Sequence, residues 1–118
     1  MKITFLGTGT STGIPTIGLK RDSCLSSDKR DNRLRSSILI EYKSKSILID
    51  CGPDFRQQML RINKNKIDAI FFTHEHADHT AGLDDVRPIS FQTGKIPIFA
   101  HKRVVENLKN RFGYLFDK

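Results

Sequence analysis

Twenty lysines and arginines against thirteen aspartates and glutamates give this 118-residue chain a formal charge of +7. The length fits one domain with a modest core. The charge, read first as solubility and second as attraction, favours anionic partners such as phosphates, nucleic acid or an acidic protein surface. The two cysteines, Cys24 and Cys51, exclude a disulfide framework and a cysteine-only zinc site. The opening MKITFLGTGTSTG has too short an apolar run for a signal-peptide core, and no run approaches membrane-spanning length. A soluble cytoplasmic protein with no membrane partner is the expectation.

In chain order, KITFLG (2–7) reads as a buried first strand, and GTGTSTGIPTIG (7–18) as a loop punctuated by glycine and proline. Residues 19–35 are polar and aperiodic, which predicts an extended surface excursion. SSILIEYKSKSILID (36–50) predicts a hairpin turning at KSKS. GPDFRQQMLRIN (52–63) starts a helix: Pro53 suits its first position, Asp54 its first turn, and Phe55, Met59, Leu60 and Ile62 form an apolar face. KIDAIFFTH (66–74) predicts another buried strand, GLDDVRPISF (82–91) a short helix or turn interrupted by Pro88, and KIPIFAH (95–101) a strand. Residues 102–116 predict a helix with Val104, Val105, Leu108, Phe112 and Leu115 on one side. Hairpin strands followed by alternating strands and helices indicate an α/β domain with a mixed sheet over 1–118, without repeats or an interdomain linker. The pattern breaks off with no closing element.

GTGTSTG follows a strand, where phosphate loops occur, but Gly7, Gly9 and Gly13 miss the G-x-G-x-x-G spacing by one residue, and no lysine of a P-loop follows. A turn that lets a neighbouring segment approach closely is the better reading; the alternative is that its backbone N–H groups border an active site.

THEHADH places three of the protein's four histidines, His74, His76 and His79, beside Asp78. On a helix, His74 and His76 would diverge; on a loop leaving a strand they converge. Imidazole nitrogens suit zinc and similar divalent metals, and a carboxylate adds a hard oxygen. Two ligand pairs on one loop point to two adjacent metals, with His74 and His76 on the first and Asp78 and His79 on the second. A chance cluster on a polar loop is the bland alternative, and the concentration of histidines weighs against it.

The first strand with GTG, ILIDCGPD, and THEHADHTAGLDD together make the chain resemble the metallo-β-lactamase-fold hydrolases, over essentially its whole length. GTGTSTGIPTIG, DNRLRSSILIE, LIDCGPDFRQQ and HADHTAGLDDVRP look like the phosphoribosyl 1,2-cyclic phosphate phosphodiesterase group. The resemblance implies the N-terminal half of an αββα fold with a mixed β-sheet and flanking helices. By resemblance, His74, His76, Asp78 and His79 are the metal ligands of a site completed by two divalent ions, zinc or manganese, with iron also chemically suitable. Asp78 is also assigned the catalytic role. Asp50 matches an aspartate that supports the histidine loop from behind the ligands, although it can also serve as a helix N-terminal carboxylate. Asp84, Asp85 and Arg87 match a substrate-binding rim, where the planar arginine fork fits two phosphate oxygens; an ordinary helix-surface ion pair is the alternative.

The chain departs from that pattern in two ways. Leu19 and Arg21 stand where many members of the group carry the first two cysteines of an extra structural zinc site, leaving only Cys24, so that zinc is expected to be absent. Cys51 reads as a small buried residue. The family fold also needs a longer chain, whose second half supplies another histidine, a bridging aspartate and a last histidine. His101 reads as a strand-end surface residue. The implied function is dinuclear hydrolysis of a small (cyclic) anionic phosphodiester, with the general acid in the missing half. The rivals are an RNA-processing endonuclease of the same fold, against which DCGPD argues, and a non-catalytic metal-binding fragment. Pairing as a homodimer or with a C-terminal half is a further expectation, as are an exposed sheet edge and an apolar face.

Overall fold

A computed structural model describes residues 1–116. Five strands form one sheet in sequential order: β1 (Lys2–Gly7), β2 (Ser37–Tyr42), β3 (Lys45–Ile49), β4 (Ala69–Phe71) and β5 (Ile98–Phe99). The pairs β1/β2 and β2/β3 are antiparallel, and β3/β4 and β4/β5 parallel. This is the mixed α/β sheet expected from the sequence. The β2–β3 hairpin turns tightly because Tyr42 pairs with Lys45, and Lys43 takes a left-handed φ of 53° to close it.

Alternation along each strand sorts side chains onto two faces. Leu39, Leu48 and Ile70 lie opposite one another on the inner face and are fully buried. There they meet Phe55 and Met59 of α2 (Phe55–Arg61), Ile89 of α4 (Arg87–Thr93), and Val104 and Leu108 of α5 (Lys102–Arg111). Each such Leu, Ile or Phe stabilises the fold by about 1.5–3 kcal/mol relative to an exposed side chain. On the outer face, Phe5, Ile38, Ile49, Phe71 and Phe99 form a row across all five strands. Phe5, Phe71 and Phe99 remain 63%, 39% and 49% exposed, so this apolar face is largely uncovered, as the sequence leads one to expect.

Several elements differ in extent from the sequence reading. The 19–35 excursion contains a short helix, α1 (Asp22–Leu25), and a 3-10 turn, Lys29–Asp31, in which the Arg30 N–H donates to the Asp28 side chain. The strands predicted over 66–74 and 95–101 are only Ala69–Phe71 and Ile98–Phe99. Pro88 does not interrupt a helix. It stands at the second position of α4, after a 3-10 turn over Leu83–Val86, where its missing N–H has no intrahelical partner to lose. The last helix ends at Arg111 because Phe112 takes an extended φ of −127°, and a 3-10 turn, Gly113–Leu115, follows. Among the described residues, no helix is long and apolar enough to cross a membrane.

Candidate metal centre

The site is built at the carboxyl ends of the two central parallel strands. After Ile49, β3 ends and Asp50 turns the chain with a φ of 59°, a conformation that aspartate tolerates better than most residues. Its backbone N–H still extends the ladder to the Phe71 carbonyl, at 2.8 Å. The carboxylate points inward and is only 5% exposed. A buried carboxylate must be hydrogen-bonded, and this one accepts three bonds. Thr73 donates to Oδ1 from its backbone N at 2.8 Å and to Oδ2 from its hydroxyl at 2.7 Å; His79 Nδ1 lies 2.7 Å from Oδ2.

These bonds set the histidine tautomers. A carboxylate can only accept, so His79 carries its proton on Nδ1 and presents a bare Nε2. The Thr73 hydroxyl has given its only proton to Asp50, so at 2.9 Å it must accept from His74 Nδ1, which leaves His74 Nε2 bare as well. A neutral ring held this way keeps its lone pair on Nε2, the form in which an imidazole can ligate a metal.

The loop then turns through α3 (Ala77–Thr80), a single helical turn. Two glycines let it lie directly on the strand end. A Cβ on Gly52 would fall 2.2 Å from the Asp78 carbonyl oxygen, and one on Gly82 would fall 1.9 Å from the Gly52 carbonyl oxygen. The reward for this approach is a pair of backbone bonds, Cys51 N to His79 O at 2.8 Å and Gly82 N to Cys51 O at 2.9 Å.

His74, His76 and Asp78 can each offer a ligand atom, all within 4.8 Å of one another. The ring centroids of His74 lie 4.7 Å from those of His76 and 4.1 Å from those of His79. His79 Nε2 stands 3.1 Å from Asp78 Oδ2. An imidazole nitrogen and a carboxylate oxygen at this separation are donors that can share one cation. Two donors on tetrahedral zinc stand about 3.3 Å apart, so this separation fits one ion between them. The donor set is nitrogen and carboxylate, borderline-hard chemistry that suits zinc or manganese. Asp78 thus stands next to His79 and within 4.8 Å of the His74/His76 pair.

The rim residues form a separate cluster. Asp84 and Arg87 are 3.1 Å apart, and the Tyr114 hydroxyl donates to Asp84 Oδ1 at 2.9 Å. The Tyr114 hydroxyl and then Arg87 hold the Asp84 carboxyl below the usual carboxylate range, and Asp84 in turn pushes the Tyr114 phenol up. Asp85 is exposed. Burial, with the negative charges of Asp85 and Asp50 adding to it, pushes the Cys51 thiol well above its ordinary value, so it stays protonated and inert. Cys24 is half-buried and accepts from Thr16 N through sulfur at 3.5 Å. His101 is exposed and caps α5, accepting from Arg103 N.

Sequence reasoning missed three supports. Thr73 is one; its only signal is a hydroxyl residue directly before the first histidine. The second is Arg35, whose backbone N and Nη1 donate to Asp54 at 2.8 and 3.0 Å and whose Nε donates to the Ser11 carbonyl at 3.0 Å. It ties the glycine loop to the turn after β3, so Asp54 serves this link and makes no side-chain capping bond to α2. The third is the pair of arginines on α5 described below.

The family model of the beta-lactamase superfamily domain matches residues 45–118. A crystal structure of a diphosphatase from the PhnP family superposes with a TM-score of 0.92 at 50% identity, over 97% of this chain and 46% of that one. An octanoyltransferase of Porphyromonas gingivalis is 44% identical over 119 residues, which is all of this chain and 24% of that protein. A ribonuclease Z of Methanococcus maripaludis is 36% identical over 101 residues, 83% of this chain and 28% of that protein. The chain therefore spans less than half the length of these proteins. Because the family match runs from β3 through the histidine loop and the last helix, over more than half of the chain, the chain belongs to the beta-lactamase superfamily.

Proposed function

We propose that this chain carries the metal-binding part of a hydrolase that cleaves a small anionic phosphodiester, cyclic ones included. The observation that carries the reading is the convergence of His74, His76 and Asp78 within 4.8 Å beside His79. The 50% identity to a diphosphatase supports a phosphorus-centred reaction. In this reading His74 and His76 hold one divalent ion and Asp78 and His79 a second, zinc or manganese in each case. When bound, such ions supply Lewis acidity, making a water more acidic and polarising the phosphate.

The remaining work falls to the chain's own groups. Asp50 and Thr73 hold the His79 and His74 rings. The Asp78 carboxylate takes a hydrogen bond from the attacking water and so orients it. Arg87, with its side chain 47% exposed, uses one donor on Asp84 and keeps others for phosphate oxygens; Asp84 and Asp85 complete that rim. Hydrolysis forms one P–O bond from water and breaks another. The proton lost by the water is balanced by the one gained by the leaving oxygen. The free thiols of Cys24 and Cys51 agree with a reducing, cytoplasmic setting.

The test is turnover by the purified chain with zinc or manganese, on small cyclic phosphodiesters and on precursor tRNA. Hydrolysis of the small substrates, falling more than about 100-fold in His76→Ala, is the expected result. Cleavage of the RNA alone would replace this reading with the endonuclease one, which the ribonuclease Z similarity supports. Absence of turnover with every metal would count against the enzyme reading for this chain and favour the non-catalytic metal-binding one.

A further inference from the structure

The last helix reaches back to the histidine loop at two points. Arg103 on α5 meets the carboxylate of Glu75 with two nitrogens, Nε 3.2 Å from Oε1 and Nη2 3.2 Å from Oε2, a fork-to-fork pairing. Glu75 stands between His74 and His76, and its carboxyl is held below the usual range by its own backbone N–H and then by Arg103. Two turns further along, Arg111 Nη1 donates to the Glu75 carbonyl oxygen at 3.0 Å and to Thr80 Oγ1 at 2.9 Å. Thr80 is fully buried. Its hydroxyl passes its own proton to the His76 carbonyl oxygen at 2.9 Å. One guanidinium nitrogen therefore bridges the residue before His76 and the residue after His79.

The two arginines differ in weight. Arg103 makes an exposed ion pair, its side chain 69% accessible, and such pairs contribute little. Arg111 instead bonds a backbone carbonyl and a buried hydroxyl that already serves His76. Loss of Arg111 leaves the Thr80 oxygen and the Glu75 carbonyl without this partner and frees the loop ends to move apart. The segment so clasped carries His76 and Asp78 between its ends, while His74 and His79 are both tied to Asp50, His74 through the Thr73 hydroxyl and His79 directly.

We propose that Arg111 is a positioning residue for the metal centre: by holding Glu75 to Thr80 it fixes where His76 and Asp78 stand relative to His74 and His79, which Asp50 anchors. The proposal rests on the metal-centre reading above, and its test separates the two. Hydrogen exchange on the metal-free protein reads the loop itself. In Arg111→Ala the amides of His79 and Ala81, which bond to the His76 and Ala77 carbonyls at 3.0 and 2.9 Å, should exchange about tenfold faster or more. The β2–β3 ladder amides should keep their rates. Cobalt(II) titration then reads ligation. The wild type should develop visible absorption bands on binding; Arg111→Ala should weaken the apparent affinity about tenfold or more, and Arg111→Lys, which keeps a donor, should recover much of it. If Arg111→Ala does not fold, Thr80→Val, which removes the inner hydroxyl while keeping the shape, is held to the same exchange and affinity criteria. Unchanged loop exchange, or acceleration spread evenly through the sheet, would overturn the proposal. A wild type that takes up no cobalt would instead refute the metal reading, and the exchange result would still decide the role of Arg111.

Discussion

Gly82→Ala is expected to destabilise the native fold by about 3 kcal/mol or more, at the upper end of overpacking effects. The cause is steric. Gly82 has ordinary angles, φ −85° and ψ 1°, so a side chain there meets no backbone strain. The added Cβ, however, would lie 1.9 Å from the Gly52 carbonyl oxygen and 2.8 Å from the Phe55 Cβ. Neither neighbour is the end of a flexible side chain. The Gly52 carbonyl belongs to the turn after β3, and Phe55 is a core residue only 1% exposed. Relief requires the histidine loop to lift off the strand end, which breaks the Gly82–Cys51 and Cys51–His79 backbone bonds. Gly18→Ala is the matched control, because Gly18 has a φ of +75° and nothing within 4 Å of the added Cβ. Only backbone strain applies there, about 1 kcal/mol. Urea denaturation midpoints of the two variants check the difference, and a Gly82 variant no less stable than the Gly18 variant would mean that the loop does not rest on the strand end as described.

Asp50→Asn should have the second large effect, and it should act through protons rather than bulk. The carboxylate accepts from Thr73 N at Oδ1 and from the Thr73 hydroxyl and His79 Nδ1 at Oδ2. An asparagine has one oxygen and one NH2 group. With its oxygen toward Thr73 N, the NH2 faces His79 Nδ1 and forces that ring to carry its proton on Nε2, the nitrogen meant for the metal. The Thr73 hydroxyl, now accepting from the amide, turns its proton to His74 Nδ1 and switches that ring too. The reverse orientation sets NH2 against the Thr73 N–H. That reverse orientation leaves buried donors unsatisfied, a cost of about 1–3 kcal/mol, so the first is adopted, and with both rings switched metal affinity should fall about 10–100-fold. Histidine ring nitrogen NMR reads the switch directly: Nδ1-protonated rings at positions 74 and 79 in the wild type, Nε2-protonated in Asp50→Asn. Identical ring spectra in the two proteins would remove Asp50 from its assigned role.

The parts legible in the sequence were those whose signal is local. THEHADH after an apolar run announces a loop at a strand end, because histidines two apart cannot share a helix face. The hairpin over 36–50 follows from two apolar runs around a polar turn, and of the predicted helix faces Phe55, Met59, Val104 and Leu108 are buried, whereas Leu60 is 63% exposed. The parts that stayed hidden depend on contacts far apart in the chain. Nothing in the local sequence marks Arg111 among twenty basic residues, because its meaning lies in Glu75 and Thr80, more than thirty residues earlier. Arg35 and Asp54 are likewise ordinary charges until the fold brings them together. Pro88 misled in the opposite sense: read as a breaker, it stands where a helix begins.

The measurement that tests the central claim most directly is metal stoichiometry on the purified chain, by elemental analysis beside intact mass, with His76→Ala run in parallel. The account predicts at least about one zinc or manganese ion retained per wild-type chain, with retention largely lost in the variant. A wild-type chain that holds no divalent metal, or holds it equally well without His76, would contradict the assignment of His74, His76, Asp78 and His79 as a metal centre.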